Sequence, residues 1–139
     1  KAQNTAGGTA TSGSWFTRTL NTLVRNNGTL ASLSSNQFTL PAGTFYIAWS
    51  APGFAVQAYQ TRLRNITDST TDGTGTSEFA ASGASVANRS FGSIVLTLTG
   101  SKAFEIQMQV NTTQPTSGLG VVANFTTEVY TRVEISKVA

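Results

Sequence analysis

The stretch Phe38–Phe54, FTLPAGTFYIAWSAPGF, decides how the rest of the chain reads. Phe38 and Leu40 alternate with Thr39, and Pro41-Ala42-Gly43 interrupts. Phe45, Ile47 and Trp49 then alternate with Tyr46 and Ala48 until Pro52-Gly53 stops the run. Successive side chains on a strand point to opposite faces, so a period of two bounded by Pro and Gly predicts strands and turns. The stretch is expected to form a hairpin. In its second arm both alternating sets are largely apolar, so neither face should be wet. Phe45, Ile47 and Trp49 can face a core while Tyr46 and Ala48 face another subunit, or the reverse. The blander alternative is a central strand covered by loops.

Outward from this stretch the same pattern recurs. Residues 1–14 (KAQNTAGGTATSGS) are rich in Gly, Thr, Ser and Ala and read as a flexible linker. The chain starts at Lys1 rather than Met, so this segment reads as the lead-in from something upstream, with a folded domain over 15–139. Trp15–Leu20 and Leu23-Val24 form a first strand region, closed by the turn Arg25-Asn26-Asn27-Gly28. Beyond Phe54, Val56–Ile66 alternates with Tyr59 and Leu63 on one face and Arg62 and Arg64 on the other. Asp68–Ser77 (DSTTDGTGTS) is the most loop-like segment of the chain. Ile94, Leu96 and Leu98 share a face before the turn Gly100-Ser101-Lys102. Phe104, Ile106, Met108 and Val110 then alternate with Glu105, Gln107 and Gln109, the clearest antiparallel hairpin on the page. Asn111–Gly120 reads as a second long loop, and Val121–Phe125 as a short apolar run. Glu128–Val138 closes the chain with Val129, Val133 and Ile135 inward. No segment holds helical periodicity over three turns, and many short strands with Gly, Pro and Asn turns predict an all-β antiparallel sandwich.

Composition narrows the function classes. Apolar residues make up 39% and charged residues only 11% of 139 positions, against a usual charged share of about 25%. The surface must therefore be built of hydroxyls and amides, as in extracellular and virion β-proteins. The net charge is +3, with basic residues scattered rather than striped, which argues against nucleic-acid binding. The chain has no cysteine and no histidine, so disulfides, the commonest general base and the usual zinc ligand are all missing. No apolar run approaches the length of a membrane span.

Individual candidates weigh as follows. Asp68, Asp72 and Glu78 lie in or beside one loop, but their spacing misses the calcium-loop pattern, and Asp72-Gly73 is ordinary turn chemistry. Glu105, Glu128 and Glu134 fall on separate strands, where carboxylates in an alternating pattern line the solvated face; no catalytic pair, metal or cofactor is expected. The loops at 26–36, 67–90 and 111–120 are rich in Thr, Ser, Asn, Gly and Gln, which can donate to and accept from sugar hydroxyls. Asn111, Thr113 and Gln114 are candidate ligand-binding residues there, with Phe54, Tyr59 and Phe79 as stacking platforms should they be exposed.

The ordered pieces Trp15–Thr22 (WFTRTLNT), Leu40–Tyr46 (LPAGTFY), Ser50–Pro52, Arg62–Thr67 (RLRNIT), Ser90–Gly92 and Glu128–Ile135 (EVYTRVEI) resemble jelly-roll domains of bacteriophage structural and tail-fibre proteins. Those in turn resemble the complement-q and tumour-necrosis-factor-like fold. The resemblance spans nearly everything after residue 14. It implies a two-sheet antiparallel jelly roll forming a homotrimer; the strand apolar on both faces agrees, and Tyr46 and Ala48, joined by Phe125 and by Tyr130 on the outer face of the last strand, are the expected subunit interface. It also implies a place on the virion surface. The animal members' calcium and cysteines do not carry over. The function expected is a non-enzymatic fibre or spike head that attaches to a host cell-surface glycan or protein, contacting other virion proteins. The alternative is a capsid decoration or head-fibre protein that binds no receptor.

Overall fold

The computed structural model describes residues 1–139. The alternating segments form nine strands: β1 (Phe16–Thr17), β2 (Ser32–Ser34), β3 (Gln37–Leu40), β4 (Gly43–Phe54), β5 (Gln57–Asn65), β6 (Thr70–Ala80), β7 (Ala87–Leu98), β8 (Lys102–Val110) and β9 (Arg132–Lys137). One 3-10 turn, Asn27–Thr29, is the sole helical element. The fold is all-β, with every pairing antiparallel. A six-stranded sheet runs β2-β3-β8-β5-β6, with β1 also paired to β8, and a three-stranded sheet runs β7-β4-β9.

The opening stretch is not a hairpin. β3 pairs with β8 in the larger sheet, Leu40 opposite Lys102. β4 pairs with β7 in the smaller sheet, beginning with Gly43 opposite Leu98. The expected hairpin of Ser93–Val110 is likewise absent, because β7 and β8 lie in different sheets. Together these four strands make one antiparallel ribbon that folds over on itself. Its corner is Pro41-Ala42 on one arm and Thr99-Gly100-Ser101 on the other. Turn residues signal that the chain changes direction; they do not say whether it re-enters the same sheet. Nor do Pro52 and Gly53 end the strand, since they continue the ladder opposite Arg89 and Asn88. β9 reaches only as far as Ser50, so at Pro52 the strand has a neighbour on one side only, where a missing N–H is tolerated.

The core follows from parity. Phe45, Ile47 and Trp49 of β4 meet Phe38, Leu40, Leu63, Leu98, Phe104 and Ile106 in one buried cluster drawn from both sheets. Phe38 and Phe104 stack with ring centroids 5.6 Å apart. Val133 and Ile135 of β9 pack against this cluster, whereas Val129, expected inward, lies before the strand and is exposed. Val121–Phe125 forms no strand, and neither does Leu23-Val24.

Asp68–Ser77 is mostly strand, and Trp49 explains its glycines. A Cβ on Gly73 would lie 2.8 Å from the Trp49 ring, and one on Gly92, directly opposite Trp49 on β7, only 2.0 Å from it. The indole fills the space those side chains would occupy. Its Nε1 donates to Thr61 Oγ1 at 3.0 Å. Thr61 and Ser90 hydroxyls lie 2.8 Å apart, and Ser90 Oγ donates to the Thr76 carbonyl at 2.8 Å. Each hydroxyl has one proton, so the chain of donors is fixed: Trp49 to Thr61, Thr61 to Ser90, Ser90 to Thr76. The Thr61 N–H also donates to Ser90 Oγ. This occurs where the β5–β6 register slips between Gln60 and Arg62. A bulge leaves ladder groups unpaired, and the buried hydroxyls satisfy them.

Residues 1–14, read as a linker, are docked. Ala10 is fully buried, in a second core cluster with Val56, Tyr59, Ala80, Met108 and Val110. Backbone hydrogen bonds join Gly7 to Gly120, Gly8 to Thr116 and Leu119, and Ala10 to Gln114. A Cβ on Gly7 would lie 2.4 Å from the Leu119 backbone. The small residues here permit close backbone contact rather than freedom.

Candidate functional site

Because Phe45, Ile47 and Trp49 point inward, Tyr46, Ala48 and Ser50 form the outer face of β4. Their neighbours on β7 are Val95, Ser93 and Phe91 in register, and on β9 Ser136, Glu134 and Arg132. Tyr46 is 42% exposed, Phe91 55% and Val95 58%. Three large apolar side chains on one short sheet, with Ala48 among them, make a patch with no cover within the chain. Contiguous exposed apolar surface of this kind marks an interaction site. Arg132 and Glu134 flank it on β9, paired at 3.3 Å. A shallow groove of about 530 Å³ runs from Tyr46 and Ala48 past Phe91 to Thr74 and Thr76 at the edge of β6. Phe91 and Val95 did not figure in the sequence reading. Their signal is the one that singled out β4: Ser90–Thr99 is apolar on both parities, Phe91 and Val95 against Ile94, Leu96 and Leu98.

The other two expected interface residues lie outside the strands, Tyr130 with its carbonyl accepting from the same Arg89 nitrogen that donates to Ser50. Tyr130 precedes β9; its hydroxyl donates to the Thr5 carbonyl at 2.8 Å, and Gly120 leaves room for its ring. Phe125 is 88% exposed in the connection before it. That connection is held by Glu128, whose carboxylate accepts the backbone N–H groups of Ala123, Asn124 and Asn4. The bonds from Ala123 and Asn124 hold its carboxyl below the usual range. Glu128 is thus a buried anchor for the N-terminal segment, not a member of a solvated face.

Of the remaining carboxylates only Asp68 and Asp72 come together. Glu105 is buried on the outer face of β8, accepting from Thr17 Oγ1 at 2.8 Å, with Gln37 and Gln107 also donating to it. Asp68 and Asp72 converge on the Asn65 amide at 3.0 and 2.9 Å, and Asp68 takes Lys102 at 2.6 Å. Lys102 holds the Asp68 carboxyl below its ordinary value. Glu78 is separate, further along β6, where it accepts from Thr76.

Of the expected platforms, Phe79 is exposed, Phe54 half-buried and Tyr59 buried, its hydroxyl donating to Asn88 at 2.7 Å. Burial, then the Glu78 charge, pushes the Tyr59 phenol up to about 12. Thr113 accepts from the Ser12 N–H, and the Gln114 backbone pairs with Ala10, so both serve the docked N-terminal segment. Asn111 is exposed. Arg18 is a buried cation with no carboxylate partner. Its guanidinium donates to the carbonyls of Leu119 and Pro52 and to Thr131 Oγ1. Burial, then the Arg89 charge, pushes it down to about 9, so it remains charged at neutral pH.

No model of a known protein family matches the chain, and no curated protein does either.

Proposed function

We propose that this chain is a non-enzymatic module of a virion, the trimeric head domain of a phage fibre or spike that attaches to a host cell-surface receptor. The observation that carries this is the apolar outer face of β7-β4-β9, with Tyr46, Ala48, Phe91 and Val95 uncovered. A second copy of the chain is the occupant that suits it. Arg132 and Glu134 supply one charge of each sign beside the patch, and around a three-fold axis the Arg132 of each copy can meet the Glu134 of the next. The ribbon folded over at Pro41-Ala42 supports a jelly-roll winding of the two sheets. A surface of hydroxyls and amides suits glycan recognition at the virion surface, where three copies compensate for weak single-site binding.

The test is binding of labelled protein to a panel of bacterial strains and to purified capsids. Saturable binding to cells is expected. Binding to capsids alone would replace this reading with that of a decoration protein.

A further inference from the structure

A row of polar side chains crosses the outer face of the six-stranded sheet. Gln109 of β8 lies opposite Gln60 of β5, and Gln60 lies opposite Ser77 of β6. Beside this row stands Trp15. The Arg62 guanidinium lies over its ring, 4.2 Å from the centroid. Arg62 is itself fixed by two hydrogen bonds to Gln107 Oε1, at 2.8 and 2.6 Å. The aromatic surface is therefore held in place before any ligand arrives. Trp15, Gln60, Ser77, Glu78, Gln109 and Asn111 line a groove of about 310 Å³, at the lower end of the roughly 300–1,000 Å³ usual for small-ligand sites.

We propose that this groove is a binding site for a neutral saccharide. The inference rests on the receptor-attachment reading above and names the site and ligand class within it. The side chains of Ser77, Gln109 and Asn111 make no hydrogen bond within the protein, while Gln60 spends only its amide nitrogen, on the Gly75 carbonyl. These groups both donate and accept, as sugar hydroxyls require. The apolar face of a sugar ring packs on an indole. Charge selects among saccharides. Gln60, Ser77, Gln109 and Asn111 carry no charge; Glu78 has the opposite parity on β6 and accepts from Thr76 Oγ1, and the Arg62 guanidinium is turned onto Trp15 and Gln107. A sialylated or sulfated glycan would meet no free cation. A peptide fits less well: β5, on the groove floor, is paired on both sides, and extended peptides bind where backbone groups are free.

The experiment is a printed array of neutral, sialylated and sulfated glycans probed with the whole chain, followed by calorimetric titration of the strongest hit. Neutral glycans are expected to bind. Gln109→Ala, which breaks no internal hydrogen bond, is expected to weaken that binding by about fivefold or more. Trp15→Ala, with its fold checked by circular dichroism, should abolish it, and Thr113→Ala should leave it unchanged. Binding confined to anionic glycans overturns the proposal, as does undiminished affinity in Gln109→Ala. Cell binding that survives both groove variants, or is lost to protease treatment of the cells, refutes this groove while leaving attachment standing. A native chain that binds neither cells nor array refutes both.

Discussion

Replacing Thr61 by valine tests the internal logic of the sandwich. Valine keeps the shape, so no cavity forms, but it removes the hydroxyl between Trp49 and Ser90. Ser90 still donates to Thr76 and still accepts from the Thr61 backbone N–H. The Trp49 indole N–H is the group left without a partner, inside a core where Trp49 and Thr61 are both buried. A buried donor stripped of its acceptor costs about 1–3 kcal/mol. Urea unfolding followed by far-ultraviolet circular dichroism, at one fixed protein concentration, measures this. A cycle with Trp49→Phe sharpens it: with no indole N–H to orphan, Thr61→Val should cost at least about 1 kcal/mol less in that background. A Thr61→Val protein within about 0.5 kcal/mol of the native chain, or a cycle with no coupling, would show that Thr61 Oγ1 is not the partner the buried indole depends on.

Three further outcomes follow from the same contacts. Gly92→Ala puts a Cβ 2.0 Å from the Trp49 indole and should lower stability by at least about 1–3 kcal/mol through overpacking; an unchanged melting temperature would refute the close approach. Glu128 has its folded-state pKa lowered by backbone N–H donors, so its stabilisation is present above the unfolded value of roughly 4.3 and lost as pH falls through the folded value. Hydrogen exchange in residues 1–10 should accelerate across that acid range in the native chain, and should be fast at neutral pH already in Glu128→Ala; equal protection in both would contradict the anchoring role. Tyr46→Asp places a charge on the outer face of β4 and should raise the subunit dissociation constant by tenfold or more, while Thr22→Asp, on an exposed segment remote in sequence, should not.

Parity was the legible part of this sequence. It assigned Phe45, Ile47 and Trp49 to one face of β4, and Phe104, Ile106, Met108 and Val110 to one face of β8, because burial of alternate side chains is written directly into the strand. Pairing was not legible. Pro41-Ala42 and Thr99–Ser101 look like hairpin turns, yet each carries its chain from one sheet to the other. Glycine misled twice for one reason. In Asp68–Ser77 and in residues 1–14 it reads as flexibility, but at Gly73 it admits the Trp49 ring and at Gly7 the Leu119 backbone. The partner that demands the glycine is distant in sequence and invisible until the fold is known. For the candidate sites, Tyr46 and Ala48 were legible as a second apolar face, and Phe91 and Val95 carried the same signal. The row Gln109–Gln60–Ser77 was not, since it exists only through the registers of three strands.

The outer face of β7-β4-β9 as a contact between copies of this chain is the central claim, and sedimentation equilibrium of the native chain at micromolar concentration tests it most directly. The expected result is a single species at three times the 14.6 kDa chain mass. A species at the chain mass itself, unchanged as concentration rises, would contradict the account.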